Sequence, residues 1–433
     1  MRLKRTHFIS QVTEDLEGEI VRLAGWVHEV RDLGGIRFLL LRDREGIIQV
    51  TAKAKESPGE VFDVIGKLTR ESVIAVEGIV VKSSKAKLGV EIKPLQIEVL
   101  NIAESPLPLD PTGRVPAELS TRLDSRFIDL RRPEERAVFI IQHHLLQATR
   151  NFFSSKGFIE VVTPRILATA TEGGAALFTV NYFGSTAYLA QSPQLYKEQL
   201  TGSLEKVFEV GLFFRAEESN TTYHLNEFLS LDVEEAFADE EDVMNLLEEY
   251  IVHVFGEVKH RCSDELKVLG RDLKEPMRPF KRVSYDDAVS LLREERVKVN
   301  WGDDLSTQAL RKLGELFDGP FFIVDWPTHL KPFYIMPRED DPSRSYSFDL
   351  MYGWLEIASG GRRIHRKEQL IARLKEQGLN PDSFKHHLKC YDYGMPPHSG
   401  WGLGLARLMM IITGRRNIRE VVLYPRDRWR LTP

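Results

Sequence analysis

"KVFEVGLFFRAEESNTTYHLNEFLSLDVEEAFA", residues 206–238, decides how the rest of the chain is read. Two runs rich in Val, Phe and Leu, "KVFEVGLFFRAE" and "EFLSLDVEEAFA", have the composition of β-strands. The polar stretch between them is poor in strand formers, so the whole reads as two antiparallel strands joined by a loop. The chemistry sits at the junctions: Arg215 and Glu217 where the first strand ends, His224 in the loop, Phe228 in the returning strand. Arginine's planar fork makes paired, charge-assisted hydrogen bonds to phosphate. An aromatic ring offers a face on which a purine stacks. Arg215, His224 and Phe228 therefore suit the α-phosphate, terminal phosphate and adenine of a bent nucleotide, with Glu217 taking the adenine amino group. The same residues also fit a surface hairpin whose charges are merely solvated.

Outward from this hairpin, "GWGLGLARLMM" (400–410) places Gly402 and Gly404 before Arg407. Glycines let a backbone approach a ligand closely, and an arginine one turn into a following helix can clamp a terminal phosphate. Upstream, "PEERAVFIIQHHLLQATRNFFSSKGF" (133–158) starts with proline, which suits a first helical turn. It keeps Val138, Ile141, Leu145, Ala148 and Phe152 on one stripe and offers Gly157 as a stop. "GFIEVVTPRIL" (157–167) follows, and "DEEDVMNLLEEYIVHVFGEVKHR" (239–261) reads as another helix. Long strands mixed with helices in no regular alternation predict an α+β domain, an antiparallel sheet flanked by helices, over 133–433. Residues 1–104 differ. Four β-rich segments, with a helix-like "EVFDVIGKLTR" (60–70) between strand candidates, predict a five-stranded OB-fold β-barrel with one helix after the third strand. Between the two, 105–132 contains Pro106, Pro108, Pro111 and Pro116 and is expected to be a hinge.

The bulk composition excludes more than it selects. The chain has 433 residues, a formal net charge of −5, 42% hydrophobic and 28% charged residues, ordinary values for a soluble protein. Cys262 and Cys390 form no CxxC pair, so a disulfide framework or zinc ribbon is not expected. His386, His387 and Cys390 raise the question of a metal; polar groups on a surface helix is the preferred reading. "MRLKRTHFIS" has no apolar signal core, and no apolar run reaches membrane-spanning length. A cytoplasmic, reducing-compartment location is expected.

The stretch ending in Pro164 and Arg165, the hairpin 214–228 and the glycine-arginine run occur in that order along one domain. Together they resemble the three signature motifs of class II aminoacyl-tRNA synthetases. The barrel resembles the anticodon-binding domain of the aspartyl, asparaginyl and lysyl subgroup. "QSPQLYKE", "HLNEFLSLDVEEAF", "FDLMYGWLEIASGG" and "YPRDRWRLTP" look most like the aspartyl-tRNA synthetases of archaeal and eukaryotic type. The resemblance implies ATP and Mg²⁺, L-aspartate, tRNA(Asp), with tRNA(Asn) as a further acceptor, and a homodimer. It places Arg215 and Arg407 at the reaction itself. For ATP it adds Glu217, His224, Leu225, Phe228, Glu356 and Gly404. For aspartate it implies Lys197 and Arg363 on the side-chain carboxylate, Asp232 orienting Lys197, Glu172 on the ammonium, and Ser192, Gln194 and Ser359 completing the pocket. Glu356 and Ser359, with Asp349 close by, resemble the Mg²⁺ ligands. On the barrel Phe38 resembles the ring that stacks the central anticodon base and Gln49 the residue that reads it, with Arg31 and Glu91 as further contacts and His28 and Lys87 near the third base. An inward, core position for Phe38 is the competing reading. The chain also departs from the family pattern. "GGRRIHR" (360–366) puts Arg362 beside Arg363, so either fits as anchor, and Ala406 stands where a glutamate often precedes the last arginine. An asparaginyl-tRNA synthetase and an amide-forming relative of asparagine-synthetase type share the catalytic fold and stand as alternatives; Asp232 and the barrel argue against them.

Overall fold

The computed structural model describes residues 2–169 and 176–433. The chain divides into two compact units, Met1–Pro108 and Leu109–Pro433.

The first unit is a closed barrel. Strands β1 (Ile20–Asp32), β2 (Ile36–Arg42), β3 (Ile47–Lys53), β4 (Val73–Lys82) and β5 (Val90–Asn101) close in the order β1-β2-β3-β5-β4, with helix α1 (Gly59–Ile65) after the third strand. Alternation explains the closure. Leu39 and Leu41 on β2, Ile48 and Val50 on β3 and Ile74 and Val76 on β4 are fully or nearly fully buried, so the residues between them face outward. Each such buried aliphatic side chain contributes about 1.5–3 kcal/mol relative to exposure.

The second unit opens with two short helices, α2 (Leu119–Asp124) and α3 (Arg126–Asp129), inside the stretch expected to be a hinge. Arg126 is fully buried, pairs with Asp129 at 3.0 Å, and donates to the carbonyl oxygens of Glu420, Val422 and Leu423. Buried ion pairs rather than apolar periodicity order these residues, and proline counting does not reveal them. Helix α4 (Pro133–Ser155) buries the whole predicted stripe, and Gly157 follows it with φ +80. Short strands β6 (Ile159–Glu160), β7 (Ile166–Leu167), β8 (Thr179–Tyr182) and β9 (Ser185–Leu189) lead into α5 (Gln194–Leu204) and then the long strands β10 (Lys206–Phe214) and β11 (Glu227–Ala236). Helices α6 (Glu240–Arg261) and α7 (Ser263–Val268), strand β12 (Lys281–Ser284), helices α8 (Tyr285–Glu294) and α9 (Thr307–Glu315), and strands β13 (Pro320–Val324), β14 (Ser347–Tyr352) and β15 (Leu355–Arg362) follow. The chain closes with α10 (Lys367–Glu376), α11 (Lys385–Tyr391), β16 (His398–Gly404) and α12 (Leu405–Thr413).

Eight strands form one sheet in the order β12-β13-β14-β15-β16-β11-β10-β6. Only the terminal pairs β12/β13 and β10/β6 are parallel. Helices α4 and α6 and the central strands share a core that includes Ile141, Phe153, Tyr250, Phe255, Leu231 and Trp401. That core covers one face of the sheet and leaves the residues on the opposite face of β11, β14, β15 and β16 for a cleft.

Candidate active site and nucleic-acid face

The register of four neighbouring strands builds the cleft floor. Asp232 on β11 lies opposite Gly402 on β16, Gly402 opposite Ser359 on β15, and Ser359 opposite Asp349 on β14. Period-two alternation puts all four on one face. A Cβ on Gly402 would stand 3.1 Å from Asp232 Oδ1, so glycine keeps the floor low beside that carboxylate.

At one end of the cleft the returning hairpin supplies Arg215, Glu217, His224, Leu225 and Phe228, and the end of β16 and first turn of α12 supply Gly404 and Arg407. The Arg215 guanidinium lies 5.3 Å from the centre of the Phe228 ring and 4.0 Å from Glu217. Asn226, which sequence reasoning passed over, clamps the loop: its side-chain amide donates to the carbonyl oxygens of Arg215 at 2.7 Å and Glu217 at 2.9 Å. Arg407 donates to the Glu356 carbonyl oxygen at 2.7 Å and stands 3.9 Å from its carboxylate. Burial lowers the pKa of His224, and the neighbouring Arg407 adds to that. His224 is therefore a neutral imidazole at neutral pH, its Nδ1 2.8 Å from the Thr221 hydroxyl.

Asp349, Glu356 and Ser359 line the adjoining recess. Asp349 takes a 2.7 Å ion pair from Lys331 on one oxygen, while its Oδ1 is buried with no hydrogen-bond partner. Although 44% of the Glu356 side chain reaches solvent, partial burial raises its pKa and the facing Asp349 carboxylate raises it further, against the pull of Arg407, Lys331 and Arg215. Two crowded carboxylates, an orphaned carboxylate oxygen and a hydroxyl are the donor set of a hard divalent cation. Among the described residues no cluster of three or more His, Cys, Asp or Glu side chains forms a metal cage. A cation held by these residues would draw the rest of its coordination from waters and phosphate oxygens.

The other end of the cleft is an ionic cluster. Lys197, 2% exposed, reaches Asp232 at 3.1 Å, Glu234 at 3.3 Å and the Trp401 carbonyl oxygen at 3.0 Å. Arg363, also 2% exposed, grips Glu234 with Nε at 2.8 Å and Nη2 at 3.2 Å. Burial opposes its charge, but Glu234 more than offsets this and raises its pKa. Its Nη1 has no acceptor among the described residues. Glu234 thus joins the two cations; the sequence reading missed it, though it lies two residues past Asp232 on the same face of β11. Arg362 is directed elsewhere, onto Glu240 at 2.7 Å; of the two arginines only Arg363 lines the cleft. Ser192 and Gln194 line it as well. Glu172 lies outside the described residues. Lys331, another residue the sequence reading missed, lines both the cleft and the recess. His387 is 3% exposed, a correction to the surface-helix reading: it packs against the buried Glu198 at 3.3 Å.

On the barrel, Arg31 pairs across strands with Phe38, and Phe38 with Thr51. Phe38 alternates with the buried Leu39, so its ring is on the outer face, not in the core. Glu91 accepts from Gln49 at 2.6 Å and from Thr51 at 2.8 Å, joining β5 to this face. His28 lies at a β-bulge, where the register shifts between Val27 and Glu29. Bulges re-aim side chains. Its Nδ1 is 3.1 Å from Arg42, which is itself held by Glu71 at 2.6 Å. Lys87 is exposed in the β4–β5 turn.

Residues 118–428, most of the chain, match the family model described as tRNA synthetases class II (D, K and N). The chain belongs to this family. The barrel, residues 21–100, matches the OB-fold nucleic acid binding domain. Among similar proteins, the aspartate–tRNA(Asp/Asn) ligase of Methanopyrus kandleri is 54% identical over 428 residues, 98% of this chain and 99% of that protein. The aspartate–tRNA(Asp) ligase of Pyrococcus abyssi is 52% identical over 99% of this chain and 100% of its own length. The crystal structure of asparaginyl-tRNA synthetase from Pyrococcus horikoshii complexed with asparaginyl-adenylate matches all of both chains with a TM-score of 0.95 at 35% identity. In this synthetase the three stretches that resemble the signature motifs lie on one sheet: β10, the hairpin and β11 carry the second, β16 and α12 the third, and β6, within the stretch 157–167 read as the first, pairs in parallel with β10. No helix among the described residues is long and apolar enough to cross a membrane.

Proposed function

We propose that the chain activates L-aspartate with ATP and transfers it to the 3′ end of tRNA(Asp) and tRNA(Asn). The observation that carries this reading is the shared Glu234 bridge, which fixes Lys197 and Arg363 as a pair of buried cations at one end of a cleft whose other end presents Arg215 and Arg407. A β-carboxylate brings two acceptor oxygens to donors only. An amide would turn its NH₂ toward a guanidinium or ammonium, donor against donor, and sites built on matched polar groups reject such analogues strongly. This separates aspartate from asparagine despite the fold shared with asparaginyl enzymes.

Activation joins the aspartate α-carboxylate to the α-phosphorus with departure of pyrophosphate; the terminal ribose hydroxyl of tRNA then displaces AMP from the aspartyl-adenylate. No protein nucleophile is needed. Arg215 holds the α-phosphate and the attacking carboxylate, Phe228 stacks the adenine, Glu217 accepts from its amino group, and His224 and Arg407 take the terminal phosphate. Pre-placed charge of this kind is the main catalytic lever in group transfer to phosphorus. Mg²⁺ held by Asp349, Glu356 and Ser359 would neutralise phosphate charge. Glu172 is assigned to the substrate ammonium.

The barrel reads the anticodon. Glu91 is an acceptor only, so the Gln49 amide must give it the NH₂ and present its carbonyl oxygen outward. That oxygen suits the ring N–H of the central uracil shared by aspartate and asparagine anticodons, with Phe38 beneath as the stacking face. His28 bears on the third base. Arg42 can only donate, so Nδ1 of His28 accepts and Nε2 carries the proton. Burial and Arg42 both lower the His28 pKa, which keeps this tautomer neutral. A lone outward N–H finds the O2 oxygen of either cytosine or uracil, and this supports relaxed use of tRNA(Asn). The protein works in the cytoplasm as a homodimer through the segment around β6, where Val162 is 90% exposed. Aspartate-dependent ATP–pyrophosphate exchange followed by charging of unmodified tRNA(Asp) and tRNA(Asn) transcripts at fixed salt tests the reading. Comparable charging of both is expected; a hundredfold or greater preference for the aspartate transcript would limit the function to tRNA(Asp).

A further inference from the structure

Behind the amino-acid end of the cleft lies a buried polar group that the mechanism above does not use. Glu198 on α5 is 0% exposed. Its Oε1 accepts from Gln194 Nε2 at 2.6 Å, and its Oε2 accepts from the Tyr391 hydroxyl at 3.0 Å and lies 3.3 Å from His387 Nε2. Tyr391 and His387 are four residues apart on α11 and so share a helix face. On the far side of the His387 ring, the Gln199 side-chain amide is 3.2 Å from Nδ1. With that amide donating to Nδ1, the proton of the neutral ring lies on Nε2, the nitrogen beside Glu198. The His398 Nε2 stands 3.8 Å away. Burial pushes the Glu198 carboxyl upward, but the neighbouring His387 and His398 rings outweigh this and hold it well below the usual carboxylate range.

A charged carboxylate accepts and never donates. Gln194 must therefore turn its NH₂ away from the cleft. Its carbonyl oxygen takes no partner among the described residues, and the residue lines the cleft. Gln191, three residues earlier and also lining the cleft, shows the same polarity: its Nε2 is directed at the Ala176 carbonyl oxygen at 3.4 Å, while its Oε1 is buried and unpartnered.

We infer that Glu198, held by Tyr391 and His387, is a positioning residue that locks the Gln194 amide with its oxygen toward the amino-acid pocket, so that this wall accepts an ammonium and repels a carboxylate. The inference rests on the aspartate-activating reading. It explains why a carboxylate is buried here, where an amide at 198 could satisfy either orientation of Gln194. It also makes the pose of aspartate unambiguous: the acidic ends go to Lys197 and Arg363 and to the nucleotide, the amino group to the glutamines.

The test is a double-mutant cycle in pyrophosphate exchange. Glu198→Gln, which keeps the size and removes the obligatory acceptor, should raise KM for aspartate about tenfold, the worth of one hydrogen bond to a charged group. KM for ATP should be unchanged and kcat within about threefold. Glu198→Gln should add nothing once Gln194 is Ala, since the two act as one unit. Tyr391→Phe, milder on the fold, should reproduce the direction. Equal effects on KM for aspartate and for ATP, or full additivity with Gln194→Ala, would overturn the inference and leave Glu198 a structural group. Wild-type exchange is the control: if aspartate does not drive it, the activity reading fails, not this one.

Discussion

Arg362 and Arg363 are adjacent, identical in type and separated only by tertiary placement. Arg363 is buried on Glu234 at the cleft and Arg362 pairs with Glu240. Arg363→Ala removes a buried charge partner, a change that costs about 2–5 kcal/mol where a charged pair is desolvated. The expected outcome is a loss of about a hundredfold or more in kcat/KM for aspartate. Arg362→Ala, at a pair with partly exposed side chains, should stay within about threefold. Steady-state exchange kinetics on the two variants decide it, and the reverse ranking would move the anchor to Arg362. His224 gives a pH prediction. Its folded pKa lies below the ordinary 6.5 because burial and then Arg407 disfavour the charged form. The unfolded chain therefore binds the proton more readily, so this residue costs no stability above about pH 6.5 and costs increasingly as the pH falls below it. Thermal melts from pH 7.5 to 5.5 should show the wild-type Tm falling relative to that of His224→Gln; parallel curves would remove His224 as a source of acid sensitivity.

At the scale of elements, β16 works because Gly400, Gly402 and Gly404 leave its cleft face bare, while Trp401 and Leu403 fill the core on the other. A Cβ on Gly400 would stand 2.2 Å from the Val233 carbonyl oxygen and 2.3 Å from Glu234 Oε2, and one on Gly360 2.5 Å from the Gly400 carbonyl oxygen. These glycines are fixed by strand-on-strand approach, not by a ligand. Gly404 differs: an added Cβ meets only the flexible Arg407 side chain at 3.7 Å, ordinary contact. Gly400→Ala should lower Tm by several degrees or prevent folding, since overpacking of a tight core costs about 1–3 kcal/mol. Gly404→Ala should melt like the wild type and act on KM for ATP. Calorimetry and exchange kinetics on the pair test this division, and equal losses of Tm would refute it. The same strand pairing explains how much of the site was legible. Arg215, Glu217, His224 and Phe228 are close in sequence and stayed together on one hairpin. Glu234 and Lys331 were missed because nothing local marks them: one is the second of two carboxylates on the cleft face of β11, the other lies in a loop that only folding brings to Asp349.

For the whole molecule, two compact units predict separable losses. Phe38→Ala or Gln49→Ala on the barrel should leave aspartate-dependent exchange within about twofold while lowering tRNA charging, Phe38→Ala by roughly 1–3 kcal/mol, the worth of a stacked base. Loss of exchange in either variant would show that the barrel supports the cleft rather than the anticodon. The sequence by itself determined the barrel, the α+β sheet and its hairpin, the apolar stripe of α4 and the family, because these rest on periodicity, turn residues and motifs spanning a few residues each. It also placed Phe38 on a strand without deciding which face, a one-residue phase that closure of the barrel settled by burying Leu39 and Leu41. The buried ion pairs that order 119–129, the choice between Arg362 and Arg363, and the burial of His387 on Glu198 were decided only by tertiary structure. A charged residue looks the same in sequence whether water or a partner hundreds of residues away compensates it, and the cost of leaving it unpaired arises only once the chain has excluded that water.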